Sequence, residues 1–143
     1  MIKTMKPGVV ESISAAANLL KHRFIGFDGN YCAINAKALG VSEVDTELSQ
    51  KCPVIVTGIV LVDSGGAISA GDPVVSDATG KALTATDLSI TVTVPAGATN
   101  VTSDVAQPNL VEAIAGSKLP QAINGYALDI ATGVDEIIRV KLV

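Results

Sequence analysis

The sequence predicts a mainly β protein: a single small β-sandwich or β-barrel domain with an extended or partly helical N-terminal arm. Three observations lead there. Short runs of apolar, often β-branched residues recur with turn signals at a spacing of roughly ten residues. The stretch 124–143 alternates with period two on both sides of a Gly-containing turn, the pattern of a hairpin with one buried face. The chain has 143 residues, 48% of them hydrophobic, yet aromatics are only 3% and Trp is absent. Its core must therefore be Val, Ile, Leu and Ala, which favours close-packed strands over a cavity with aromatic walls. Neither a second domain nor a fixed-period repeat is visible, so residues 1–23 are read as an arm and 24–143 as the β-rich domain.

Each element follows in order. Residues 1–11 lack periodicity and contain Pro7-Gly8, so they are expected to be extended or mobile. Residues 12–21 allow a short helix, with Ser12 as N-cap and Ile13, Ala16, Ala17 and Leu20 sharing a face. The same few apolar residues equally suit an arm that orders against a partner. Phe24 to Ile34 reads as a hairpin around Asp28-Gly29-Asn30, since Asp-Gly accepts the positive φ of tight turns. The acidic stretch 43–50 reads as an exposed loop or one helical turn. Residues 52–62 are almost continuously apolar and predict one central strand buried on both faces, with Pro53 at its start. Turns are expected at Asp63-Ser64-Gly65-Gly66, at Ala70-Gly71-Asp72-Pro73 and at Asp77-Ala78-Thr79-Gly80. Leu88, Ile90, Val92 and Val94 alternate with polar residues as a one-sided strand. A long surface loop over 95–109 and a short helix over 109–115 follow. In the closing hairpin Asn124, Tyr126, Leu128 and Ile130 share one face, and Gly125, Ala127 and Asp129 the other. After the turn at 131–135, Ile138, Val140 and Leu142 point one way and Arg139 and Lys141 the other.

Charge is unevenly placed. The net charge is −4, but residues 1–23 hold Lys3, Lys6, Lys21 and Arg23 against Glu11 alone. A basic leading segment on an acidic body suits an arm that docks on an acidic partner surface; the plainer alternative is a solvated tail. Lys3, Lys6, Lys21 and Arg23 are thus the candidate contact residues. Nucleic acid is not an expected partner, because there is no basic stripe and few aromatics to stack on bases. A membrane is not expected either: no apolar run reaches the roughly 18–20 residues needed to cross a bilayer. The N-terminus does not read as a secretory signal, so synthesis in a host cytoplasm is expected.

A catalytic set is not apparent. Cys32 and Cys52, with one histidine in the chain, do not match a zinc spacing and read as small buried hydrophobes, with a disulfide as the alternative. His22 sits between Lys21 and Arg23 with no Ser or Cys motif around it. Asp63, Asp72, Asp77, Asp129 and Asp135 each lie in or beside a Gly- or Pro-containing turn, where aspartate bonds to nearby backbone. Their spacing does not fit a calcium loop. Gly80-Lys81 is followed by Ala82 and belongs to no phosphate loop, so ATP chemistry of the RecA type is excluded. No catalytic residue, cofactor or metal is expected.

Four segments occur in a telling order: Ala70-Gly71-Asp72-Pro73-Val74, Asp77-Ala78-Thr79-Gly80-Lys81, Gly125-Tyr126-Ala127-Leu128-Asp129, and Asp135-Glu136-Ile137-Ile138-Arg139-Val140-Lys141-Leu142. Together they resemble the capsid cement, or head decoration, proteins of tailed double-stranded-DNA phages. The resemblance covers residues 54–143, is looser over 24–41 and leaves out the N-terminal arm. Asn124 stands where the family pattern has an apolar residue, a departure expected to matter little. The motifs are turns and strands, so they carry over no binding residue. The resemblance implies a protein on the outer surface of the expanded head that clamps neighbouring major capsid subunits against the pressure of packaged DNA. It also implies a homo-oligomer, a trimer or a dimer, whose repeated contacts add up. The alternative is a phage tail, fibre or surface-adhesion module, against which the shortage of sugar-stacking aromatics counts. A small hydrolase or nucleotide-handling enzyme is the third class.

Overall fold

In the computed structural model, residues 2–86 and 121–143 are described. The strand expected over 88–94, the loop over 95–109 and the helix over 109–115 lie outside the described residues. Among those described there are ten strands and no helix.

The strands form two sheets. The larger orders β1 (Lys6–Pro7), β6 (Gly58–Gly65), β10 (Val134–Leu142), β9 (Gly125–Ala127), β7 (Pro73–Ser76) and β8 (Ala82–Thr84). The smaller orders β2 (Val10–Ser14), β5 (Lys51–Ile55), β4 (Gly40–Ser42) and β3 (Phe24–Ile25). Neighbours run antiparallel, but β8 also meets β6 in parallel through Ser64 and Ala82, so the larger sheet curls back on itself. The expected sandwich is formed, with one strongly curled layer.

One core joins the layers: Phe24, Val41 and Ile55 of the smaller sheet pack with Val60, Val62 and Val140 of the larger. On the far face of the smaller sheet, Ile25, Cys52 and Val54 pack against Ala15 and Leu19. Successive strand residues point to opposite faces, so Val54 and Ile55 fill the two clusters in turn.

The apolar run 52–62 is two strands rather than one. It breaks at Gly58, whose φ is 109°. A Cβ there would lie 2.3 Å from the Lys6 carbonyl oxygen, so only glycine lets the chain leave β5 in one sheet and enter β6 in the other. Apolarity alone does not reveal a crossing between two buried strands.

The helix allowed over 12–21 is not formed; the segment begins as β2, paired with β5 from Val10–Ile55 to Ser14–Lys51. The backbone groups that a helix would bond internally are taken by distant partners. Ala15 N–H donates to the Gln50 carbonyl at 2.8 Å and its carbonyl accepts from Ser49 N–H at 2.8 Å, while Ala16 N–H donates to Gly29 at 2.9 Å. This arrangement buries Ala15 and Leu19 completely and leaves Leu20 outside. The expected turn at Asp28-Gly29 is present, with Gly26 N–H donating to Asn30 and Cys32 N–H to Phe24, each at 2.9 Å.

The closing hairpin pairs Ala127 with Val140, Tyr126 with Lys141 and Gly125 with Leu142. In β10, Ile138 and Val140 face the core, with Lys141 exposed on the opposite side as the alternation predicts. In β9 the apolar residues face outward instead: Gly125 and Ala127 are buried, and Tyr126 and Leu128 are exposed. The space beneath β9 explains it. A Cβ on Gly125 would come within 2.5 Å of Val140 Cγ1, so nothing larger than glycine fits there. Asn124, just before β9, is buried and bonded: its Oδ1 accepts from Ala38 N–H at 2.9 Å, and its Nδ2 donates to the Ala36 carbonyl at 3.1 Å.

Candidate functional site

The four cations singled out by sequence do not converge. Lys3 Nζ donates to the Ile137 carbonyl and lies 3.9 Å from Asp129. Asp129 in turn receives Arg139 Nε at 3.0 Å, Nη2 at 2.7 Å and the Arg139 backbone N–H at 3.0 Å. This guanidinium holds the Asp129 carboxyl below the usual carboxylate range. Arg23 is nearly buried, with Nε donating to Asp63 at 3.0 Å and Nη1 to the Thr79 carbonyl at 3.2 Å. Lys3 and Arg23 therefore fasten the leading segment to β10 and β6. Lys6 and Lys21 are exposed, and neither ammonium has a partner among the described residues. Their backbones are engaged, Lys6 pairing with Ile59 and the Lys21 N–H donating to Asp45 at 2.8 Å.

Lys6 belongs to a surface that sequence reading missed. It opposes Ile59, which opposes Lys141, which opposes Tyr126, a row across β1, β6, β10 and β9. Directly opposed residues share a face, so this row lies on the outer side of the larger sheet. In the adjoining row Leu61 opposes Arg139, whose carbonyl accepts from Leu128 N–H at 2.8 Å. The outer face thus carries apolar residues of β6 and β9 on either side of Arg139 and Lys141, and the Lys6 and Lys141 ammonium groups have no partner among the described residues. Strict alternation was the signal for it, but alternation alone does not say which set points inward.

A second surface is built by the acidic loop. Leu19 and Thr46 exchange backbone bonds of 2.8 Å, and Leu48 N–H donates to Asn18 Oδ1 at 2.9 Å. These bonds fix residues 43–48 against the segment 18–21. They leave Leu20, Val44 and Leu48 exposed, with Asp45 and Glu47 beside them.

The remaining candidates are structural. His22 adopts a φ of 61°, its N–H donating to Ser42 and its carbonyl accepting from Asp63 N–H. Burial lowers its pKa, with Asp63 pulling the other way. Cys32 and Cys52 are buried free thiols in separate clusters, and burial pushes the Cys32 thiol up. Asp72 and Asp77 cap their turns, Asp72 on Ser69 N–H and Asp77 on the N–H groups of Thr79 and Lys81. Asp63, Asp129 and Asp135 pair instead with Arg23, Arg139 and Lys81. Among the described residues no group of three His, Cys, Asp or Glu could hold a metal. A depression of about 200 Å³ lies between Phe27, Leu39, Val56, Leu142 and Val143, below the roughly 300–1,000 Å³ of ordinary ligand pockets.

The family model for phage cement protein matches residues 5–142. It thus takes in most of the leading segment that the sequence resemblance left out. No curated protein matches the sequence. Solved structures similar to the chain include the crystal structure of the head fiber gp8.5 N base in bacteriophage phi29, with 16% identity and a TM-score of 0.60 over 94% of this chain and 93% of that one. At that identity the likeness concerns the fold. With nearly every residue inside the family match, the chain belongs to the phage cement proteins, structural proteins of the virion.

Proposed function

We propose that this protein binds the outer surface of the expanded phage head and clamps neighbouring major capsid subunits against the outward pressure of packaged DNA. The observation that carries the reading is the cement-family match over residues 5–142. The fold supplies what a clamp needs: a body with both faces of its smaller sheet packed, and a leading segment fixed to both sheets. Residues 1–23 act as the contact segment and 24–143 as the body. Lys6 and Lys21 carry free charge toward an acidic shell surface, while Lys3 and Arg23 hold the segment in place. Several copies around a local symmetry axis, as a trimer, convert modest contacts into avidity. Clamping is binding alone and calls on no catalytic group or cofactor.

Cosedimentation with expanded heads tests this. The wild-type protein should pellet with the heads. Lys6→Glu/Lys21→Glu should pellet less, and added salt should weaken the wild-type contact by screening exposed charge. A wild-type protein that stays in the supernatant refutes the clamp, and glycan or cell-surface binding in its place would support an adhesion module. Deleting residues 1–22 is not a clean alternative, because it removes β1, β2 and the buried Ala15 and Leu19.

A further inference from the structure

We infer that neighbouring copies of this chain touch head to tail, the outer face of the larger sheet on one copy receiving the acidic 43–48 loop of the next. The inference deepens the clamp and rests on it for the symmetric lattice that brings copies side by side. The contact itself is between two copies of the chain.

The first half of the contact is an outer sheet face of unusual composition. A solvated antiparallel sheet normally shows polar residues outward. Here Ile59, Leu61, Tyr126, Leu128 and Ile137 occupy that side, and Tyr126 is 44% exposed. Arg139 is neutralised by Asp129 and Asp63 by Arg23, so Lys6 and Lys141 are the charges of the face without a partner among the described residues. Large apolar residues grouped on one outer sheet face in this way mark an interaction site.

The second half is the loop. Leu20, Val44 and Leu48, the last 57% exposed, form its apolar part. Glu43, Asp45 and Glu47 surround them with negative charge, with Lys21 as the neighbouring cation. The bonds to Leu19 and Asn18 hold the loop in one shape before contact, which lowers the ordering cost of association.

The two halves match in chemistry and in position. Each offers apolar area beside charge, and the signs are opposite. The sheet face lies outside the main core, whereas the loop backs onto the second cluster, on the far side of the smaller sheet. A two-fold contact through either patch would set the lysine-bearing face, or the acidic loop, against its own copy. Joining unlike patches on opposite sides avoids this, and such contacts close into rings or run on as filaments. Lattice symmetry would select the ring.

The test is sedimentation of the full chain without heads, using Tyr126→Glu/Lys141→Glu for the face and Glu43→Lys/Glu47→Lys for the loop. Tyr126, Lys141 and Glu47 are exposed and Glu43 is half-buried, and Lys6 stays native because the shell contact also calls on it. Each double variant should self-associate more weakly, by roughly tenfold or more. The fourfold variant, with both charge patterns exchanged, should recover much of the loss. Circular dichroism checks that every variant is folded. A wild-type chain that is monomeric at the highest concentration reached overturns the inference, as does association indifferent to both double variants. If the double variants self-associate normally yet no longer bind heads, the two patches face the shell and the second copy is the wrong occupant. Failure of the wild type to bind heads would strike the clamp and leave the copy-to-copy result standing.

Discussion

Asn124 offers the sharpest check on how this fold is held. The family resemblance read from the sequence implies an apolar residue at its position, so Asn124→Leu looks harmless from sequence. The structure says otherwise. The Asn124 side chain is the partner of the Ala38 N–H and the Ala36 carbonyl, at 2.9 and 3.1 Å, and it is only 2% exposed. It stitches the closing hairpin to the loop before β4. Leucine removes two hydrogen bonds worth about 1 kcal/mol each and strands a buried N–H at a further cost of about 1–2 kcal/mol. The expected loss is about 3–4 kcal/mol, which for a chain of this size lowers Tm by roughly 10–15 °C. Thermal and denaturant unfolding followed by circular dichroism measure it.

Asn124→Asp adds a control with a defined sign. The new carboxylate still accepts from Ala38 N–H but turns a bare oxygen toward the Ala36 carbonyl, so its folded-state pKa is raised by burial and repulsion. A raised folded pKa means stability present below the unfolded value of about 3.9 and lost as pH rises through the folded value. The deficit against wild type should therefore shrink in acid. A leucine variant as stable as wild type, or an aspartate variant whose deficit grows in acid, would refute the reasoning.

Two further perturbations follow from the geometry. Asp129, held below the carboxylate range by Arg139, contributes stability above its unfolded pKa of about 3.9 that is lost as pH falls through its lowered folded value. Asp129→Asn should therefore be less stable than wild type at neutral pH and converge with it in acid, as denaturant titrations across pH would show. Gly58 and Gly71 both have positive φ, but a Cβ at Gly71 meets nothing within 4 Å, whereas at Gly58 it lies 2.3 Å from the Lys6 carbonyl oxygen. Gly71→Ala should cost roughly 1–2 kcal/mol for conformation alone, and Gly58→Ala more, with faster proteolysis of the displaced β1. Equal losses would contradict the close approach.

What the sequence made legible was local. The turn at Asp28-Gly29, the Asp72 and Asp77 turns and the inward set of β10 depend on neighbours in the chain. What it hid was set by partners far along the chain. Residues 52–62 read as one strand because two buried strands in different sheets have the same composition, and Gly58 alone marks the crossing. Residues 12–21 kept a helical spacing, but Gln50, Ser49 and Gly29 claim the backbone of Ala15 and Ala16 first. In β9 alternation was right about the period and silent about the inward set, which the space against Val140 decided at Gly125. The outer sheet face stayed invisible for that reason: it exists only once β9 has turned its large residues away from the core.

The charge asymmetry changes meaning on folding. Residues 1–23 carry an excess of cations and the remainder an excess of carboxylates, which from sequence suggests an arm seeking an acidic partner. Two of the four cations find acidic partners inside the molecule, Lys3 at Asp129 and Arg23 at Asp63. Much of the asymmetry is thus intramolecular complementarity, and it anchors the leading segment instead of freeing it. The other two cations have no partner among the described residues and lie in two places, Lys6 across Ile59 from Lys141 on the outer sheet face and Lys21 at the border of the acidic loop. A segment fastened at Lys3 and Arg23 presents Lys6 from a fixed position, with little ordering entropy left to lose on contact. A lattice clamp under outward pressure needs that rigidity: a loosely tethered arm would stretch before it resisted, whereas charges held on a packed β body resist displacement from the start.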